Sequence, residues 1–320
     1  FEVEYLGAED MTGAETSINA LIATATDMVN KEVLTTQEAK DGLNTAIESA
    51  NKAVSEGLTL EVYNEQVADL NAAIKAGQEA IDAATALEKR NDNHNDKLTS
   101  VGEESYDAYV DTDGFAELEK VVLEIEGKIS GEGIFASMEE IDDYNAKINK
   151  AYTKMVSGVI DFSTASKDAP VDATGLIITP GFQTRTFNET TQVWEDASSS
   201  DGWTATGGTA TSGLNYEIFN DTAGIHQKLY NMPAGYYRLV YNGFYRAGDI
   251  TPAALSRREG VEPLNAQVYL DGNESKWNKK LVSIFENLSE YKYTTDDKAV
   301  ADTLLTPEDE GMLYHFIING

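Results

Sequence analysis

Residues 63–84 read YNEQVADLNAAIKAGQEAIDAA, and their spacing decides half of the fold. Tyr63, Val67, Leu70, Ile74, Gly77, Ile81 and Ala84 fall four and three positions apart, so a 3.6-residue helix carries them as one stripe. A stripe of this kind has to be covered by partner helices. The same rhythm recurs in Ile18, Leu21, Ala25, Met28; in Leu43, Ile47, Ala50, Val54; in Phe115, Leu118, Val122, Ile125, Ile129; and in Met138, Ile141, Ile148, Tyr152, Met155. Five helices are therefore predicted. A hydroxyl followed three residues later by Glu marks their starts at Thr12 with Glu15, Thr35 with Glu38 and Ser137 with Glu140. Gly57 and Gly131 stand where a left-handed residue would end a helix.

All six prolines and all three tryptophans lie after residue 160. Proline lacks the backbone donor that a helix interior needs, so its absence from one half and presence in the other marks a boundary. Past Gly158 short alternating runs replace the helical period. Tyr237, Leu239, Tyr241 and Tyr245 alternate with Tyr236, Val240 and Phe244, which predicts a strand covered on both faces. Pro233-Ala234-Gly235 turns the chain before it, and Asp271-Gly272 closes a hairpin after Ala266, Val268 and Leu270. Short strands joined by long connections predict a jelly-roll sandwich. The expected architecture is thus multidomain α plus β. Residues 1–160 form an antiparallel helical bundle, and residues 165–320 a β-sandwich of jelly-roll type.

At 320 residues the chain is long enough for two cores. It has no Cys, which removes disulfides, thiolate metal sites and cysteine catalysis together. No apolar run is long enough to span a bilayer. Phe1 is not a usual start, which points to a signal or anchor upstream. Residues 1–160 hold 33 Asp and Glu against 12 Lys and Arg, and the remainder holds 22 against 12, within a net charge of −31. Nucleic acid and anionic lipid are poor partners for such a chain, since both bind through clustered cations. Acidity of this sort fits a solvated, exported protein.

Leu43-Asn44-Thr45-Ala46-Ile47 and Leu70-Asn71-Ala72-Ala73-Ile74 repeat one phrase, with echoes at Ile18-Asn19 and Ile148-Asn149. This resembles the FIVAR-type three-helix repeats of bacterial surface proteins, and the likeness implies a spacer or interaction module without chemistry. Two polar spots in this half carry no metal signature. Aligning Gly114 of Asp111-Thr112-Asp113-Gly114 with the turn glycine of a calcium loop puts Tyr109 and Lys120 at ligand positions, so Asp113 is expected to cap a helix instead. The run Asn91-Asp92-Asn93-His94-Asn95-Asp96 holds a single His and is expected as a solvated helix end.

In the second half, Ile178 to Phe182, Gly202-Trp203-Thr204, Tyr216-Glu217-Ile218-Phe219-Asn220, Gln227-Lys228-Leu229, Pro233 to Leu239 and Gly243-Phe244-Tyr245-Arg246 follow one another. Their order resembles the galactose-binding-like jelly-roll domains of Bacteroidetes surface proteins. The resemblance implies carbohydrate binding, since a flat aromatic ring covers the C–H face of a sugar while amides and carboxylates hold its hydroxyls. Trp194 and Trp277 are the loop-like stacking candidates, Arg246 and Asp249 the polar clamps, and Trp203 is expected in the core. A structural calcium often accompanies such a sandwich, and Asp196, Asp201 and Asp221 would be its ligands.

No Gly-x-Ser-x-Gly phrase and no phosphate-cradling loop occurs, and His94, His226 and His315 stand apart. The expectation is a non-catalytic carbohydrate-binding protein, secreted or tethered to the bacterial surface as a lipoprotein, with glycans as partners. An adhesin or scaffold whose bundle binds surface proteins is the alternative. A glycosidase is the third, because paired carboxylates leave no sequence signature.

Overall fold

The computed structural model describes residues 12–102, 104–131, 133–188, 190–206, 210–212, 215–218, 223–241, 243–245, 256, 259–261, 266–271, 276–283 and 312–318. It divides into two compact units, Phe1–Asn231 and Met232–Gly320. The first unit runs past residue 165, where the second domain was expected to begin.

Five α-helices build the first unit: α1 (Thr12–Asn30), α2 (Gln37–Glu56), α3 (Leu60–Thr99), α4 (Asp113–Gly131) and α5 (Met138–Ser157). The stripe of residues 63–84 belongs to α3, whose 40 residues make it about 60 Å long. Helices α1 and α2 pack on its first part, α4 and α5 on its second. One helix thus serves two three-helix packings. At the first, Ile18, Ala25, Leu43, Ala50 and Leu70 are all but inaccessible, with Met28, Ile47 and Ile74 around them. Burying each Leu or Ile side chain there contributes about 1.5 to 3 kcal/mol. At the second, Leu118, Val122, Ile125, Ile141, Ile148 and Met155 are equally enclosed.

The helix starts carry their caps. Ser137 Oγ accepts the N–H of Glu140 at 3.4 Å, and the Glu140 carboxylate accepts the N–H of Ala136 in return. The α2 cap falls one residue later than the sequence phrase predicts, because Thr36 Oγ1 accepts the Ala39 N–H at 3.1 Å. Thr112, and not Asp113, caps α4 by accepting the Phe115 N–H at 3.2 Å. Thr35 and Thr36 (β1) pair in parallel with Ile134 and Phe135 (β2), which ties the start of α2 to that of α5. Gly114 permits the closest approach in the bundle: a Cβ there would lie 2.0 Å from the backbone nitrogen of Met155.

The expected jelly-roll sandwich does not form: every sheet among the described residues has two strands. In the first unit β3 (Gln183–Asn188) pairs with β4 (Val193–Ser198), β5 (Thr204–Thr206) with β8 (Gly224–His226), and β6 (Ala210–Ser212) with β7 (Asn215–Glu217). In the second unit β9 (Gly235–Tyr241) pairs with β14 (Met312–Ile318), β10 (Phe244–Tyr245) with β13 (Val282–Ser283), and β11 (Gln267–Asp271) with β12 (Lys276–Lys280). Alternation fixes which side chains share a face, but pairing and stacking depend on partners far along the chain. Strand β9 shows the difference. Tyr237, Leu239 and Tyr241 are half-buried as one face, yet Tyr236 and Val240 on the other are 61% and 57% exposed. A mid-sheet strand covered on both sides would have buried all five.

Candidate functional site

The run expected to be a solvated helix end lies in the last turns of α3 and keeps Asp92 exposed, but it turns Asn91 and His94 into the interior. Asn91 and His94 are 2% and 3% exposed, and Arg90 is 8%. They continue the stripe of Ala84 and Leu87 at three- and four-residue spacing, so the helix turns polar groups inward. That continuity is the signal that could have found them.

Each buried group is met from a distant element. Arg90 donates to Asn145 Oδ1 at 2.9 Å and to Asn149 Oδ1, both on α5. Its Nε lies 2.7 Å from Asp201 Oδ1. That approach is off the N–H axis and makes an ion pair without a hydrogen bond. Asn91 Nδ2 donates to the Val122 carbonyl on α4 at 3.2 Å. His94 Nδ1 and the Tyr106 hydroxyl share a hydrogen bond of 2.9 Å, and the Tyr152 ring lies 5.8 Å from the imidazole. Burial first, then the charges of Arg90 and Lys97, hold the His94 pKa well below its ordinary value. The imidazole is neutral. Burial likewise raises Tyr106 well above the usual tyrosine range and pushes Tyr152 up to about 12, with Tyr109 and Asp201 adding to the latter.

Asp201 reaches Arg90 because a tight turn presents it. Thr179 Oγ1 donates to the Asp201 carbonyl at 2.6 Å, and the Asp201 N–H donates to Ser199 Oγ at 3.1 Å. Gly202 follows at φ 79°, with Ile178 so near that a Cβ would lie 2.6 Å from its side chain, so only glycine fits. Gln227 holds Ile178 through both amide atoms, donating to its carbonyl at 3.0 Å and accepting its N–H at 2.8 Å. Trp203 Nε1 donates to the same carbonyl at 3.0 Å, and its ring tilts on Phe182 at 5.2 Å.

Between α3, this turn and the β3–β4 hairpin lies a cleft of about 380 Å³. Asn93, His94, Lys97, Tyr152, Arg185 and Asp201 are among the residues that line it. Arg185 pairs with Glu104 and, at 3.2 Å, with Asp196 Oδ1, and it donates to the Trp194 carbonyl at 2.8 Å. Two buried polar atoms of this wall, His94 Nε2 and Asn93 Oδ1, have no hydrogen-bond partner. Burial lowers the Lys97 pKa, while Asp201 and Glu104 pull it the other way. Lys97 Nζ stands 6.0 Å from the Trp194 ring, which is half-buried and packs on Phe187 at 5.6 Å.

Of the residues expected from sequence, Trp194, Asp196 and Asp201 come together around this cleft. Trp277 lies in β12, opposite Leu270. Arg246, Asp249 and Asp221 lie outside the described residues. The carboxylates of Asp196 and Asp201 each face a guanidinium, and no group of three or more His, Asp or Glu among the described residues is gathered for a metal. No helix among the described residues is long and apolar enough to cross a membrane. No family model matches the chain, and comparison with curated proteins and with solved structures found no match.

Proposed function

We propose that the protein binds a carbohydrate without transforming it, as a secreted or surface-tethered bacterial protein, and that the cleft beside α3 is where the sugar sits. The observation that carries this is one small cleft holding two buried polar atoms that no protein group satisfies, with the half-exposed Trp194 ring just outside its lining, 6.0 Å from Lys97 Nζ. A buried donor or acceptor without a partner costs about 1 to 3 kcal/mol, and a ligand hydroxyl offsets that cost. His94 Nε2 and Asn93 Oδ1 are complementary to hydroxyls, which both donate and accept. Trp194 supplies the flat apolar surface for a ring face. The cleft carboxylates favour binding over hydrolysis: Asp201 is paired with the Arg90 guanidinium and Asp196 is 85% exposed beside Arg185, whereas a glycosidase acid needs an enclosed site that keeps its proton.

Binding at a cleft this small is modest, with Kd about 0.1 to 1 mM. Affinity electrophoresis of the full chain through gels of plant and host polysaccharides checks it. Retention that drops about tenfold in Trp194→Ala supports the reading. A chain that migrates unretarded through every polysaccharide tried sinks it.

A further inference from the structure

Resting on that reading, we infer that the sugar this cleft takes carries an anionic oxygen substituent, a carboxylate or a sulfate ester, seated on the ammonium of Lys97. The three cations around the cleft, Arg90, Lys97 and Arg185, are offset in number by Asp201, Glu104 and Asp196, but Lys97 alone of the three has no carboxylate in contact among the described residues. Arg90 is paired with Asp201 at 2.7 Å, and Arg185 with both Glu104 and Asp196. Lys97 has no carboxylate within 4.0 Å among the described residues; Asp201 and Glu104 act on it only from farther away. An ammonium drawn out of water and left without a contact anion is unfavourable, and the depressed pKa of Lys97 is that penalty expressed as proton affinity. The lysine is on the cleft wall, one helical turn from the unpartnered Nε2 of His94, with its Nζ 6.0 Å from the Trp194 ring. An anionic sugar uses all three at once: its charge on Lys97, a hydroxyl on His94 and its ring face toward Trp194. The net charge of −31 repels polyanions at long range, but at physiological salt that field is screened within about 8 Å and the local contact decides.

The test is calorimetric titration of the full chain with short oligomers of galacturonate, of sulfated galactose and of neutral galactose, all at neutral pH and about 0.1 M salt. An acidic oligomer should bind at least about tenfold more tightly than the neutral one, and whichever acid binds better identifies the substituent. Lys97→Gln should abolish that preference, and a variant that keeps the full preference for the acidic oligomer overturns the assignment. In the unaltered protein, reductive methylation of Lys97 followed by mass spectrometry should slow when the acidic oligomer is present, which covers the case of a variant that folds poorly. Equal binding of neutral and acidic oligomers overturns the anion and leaves the glycan reading standing. Binding of none overturns both. An acid preference that leaves Lys97 as reactive as before overturns the assignment to this amine.

Discussion

Along α3 two kinds of burial meet on one continuous helix. From Leu70 to Leu87 the inward positions are alkyl groups, Gly77 and small Ala side chains; from Arg90 to His94 they are a guanidinium, an amide and an imidazole. Both stretches are buried, but by different means, and the polar one borders the cleft. Alkyl burial is non-directional and needs only a partner of suitable volume. The polar stretch needs a specific acceptor or donor for each group; Asn145 and Asn149 of α5, Val122 of α4, Tyr106, and Asp201 of a distant turn supply them, while Asn91 Oδ1 and His94 Nε2 are left over. The contrast teaches why the apolar end is tolerant and the polar end is fragile, and why the open valences that make a binding site occur at the polar end.

Removing Asp201 should expose this contrast most sharply. Asp201→Ala leaves the Arg90 charge buried, at 7% side-chain exposure, and should cost about 4 kcal/mol in urea denaturation. Adding Arg90→Met to it should recover much of that loss, because the pair taken out together leaves no stranded charge. A cost below about 1 kcal/mol for the single change would mean that Arg90 is solvated and the contrast fails. At the apolar end, Leu70→Ala should cost about 3 kcal/mol by the same measurement, as a methylene-lined cavity does. No second substitution elsewhere should be able to repair it so simply.

The two ends should also differ in their response to pH. His94 is held neutral in the fold, so the unfolded chain takes up its proton first as pH falls through about 6.5, and stability is lost by up to about 1.4 kcal/mol per unit below that point. His94→Gln should flatten this part of the profile. Tyr152, raised to about 12, ionises first in the unfolded chain above pH 10, so stability declines again on the alkaline side at a similar rate. The apolar stretch has no such groups, and stability of Leu70→Ala should run parallel to the parent across pH. The smallest effect is expected where the two packings join: Ser137→Ala should cost about 1 kcal/mol in thermal or chemical denaturation, the value of a helix cap.

Periodicity made the apolar end legible. The four-and-three spacing of Tyr63 to Ala84 is a property of neighbouring residues, and it led directly to a packed helix. The polar end was illegible for the opposite reason: nothing within residues 91–96 announces that Val122 and Tyr106 meet Asn91 and His94, or that Asn145, Asn149 and Asp201, 55 or more positions away, meet Arg90 before them. Composition alone therefore placed that segment in solvent. The sheet half failed similarly. The alternation of Tyr236 to Tyr241 gave a strand, and Asp271 is the last residue of β11, paired with Lys276 of β12, but alternation does not say how many neighbours a strand acquires. The sequence suggests loop positions for Trp194, Asp196 and Asp201, but the first two lie in strand β4. They gather instead against a helix, which no pattern within the hairpin itself encodes.

The shared helix has a last consequence for anyone dividing this protein. Since α3 supplies a wall to both packings, neither half owns a complete interior, and a cut at its midpoint hands each fragment two helices and a torn third. Grafting either half onto another scaffold must carry all 40 residues of that spine along, so the arrangement cannot be shuffled like beads on a string.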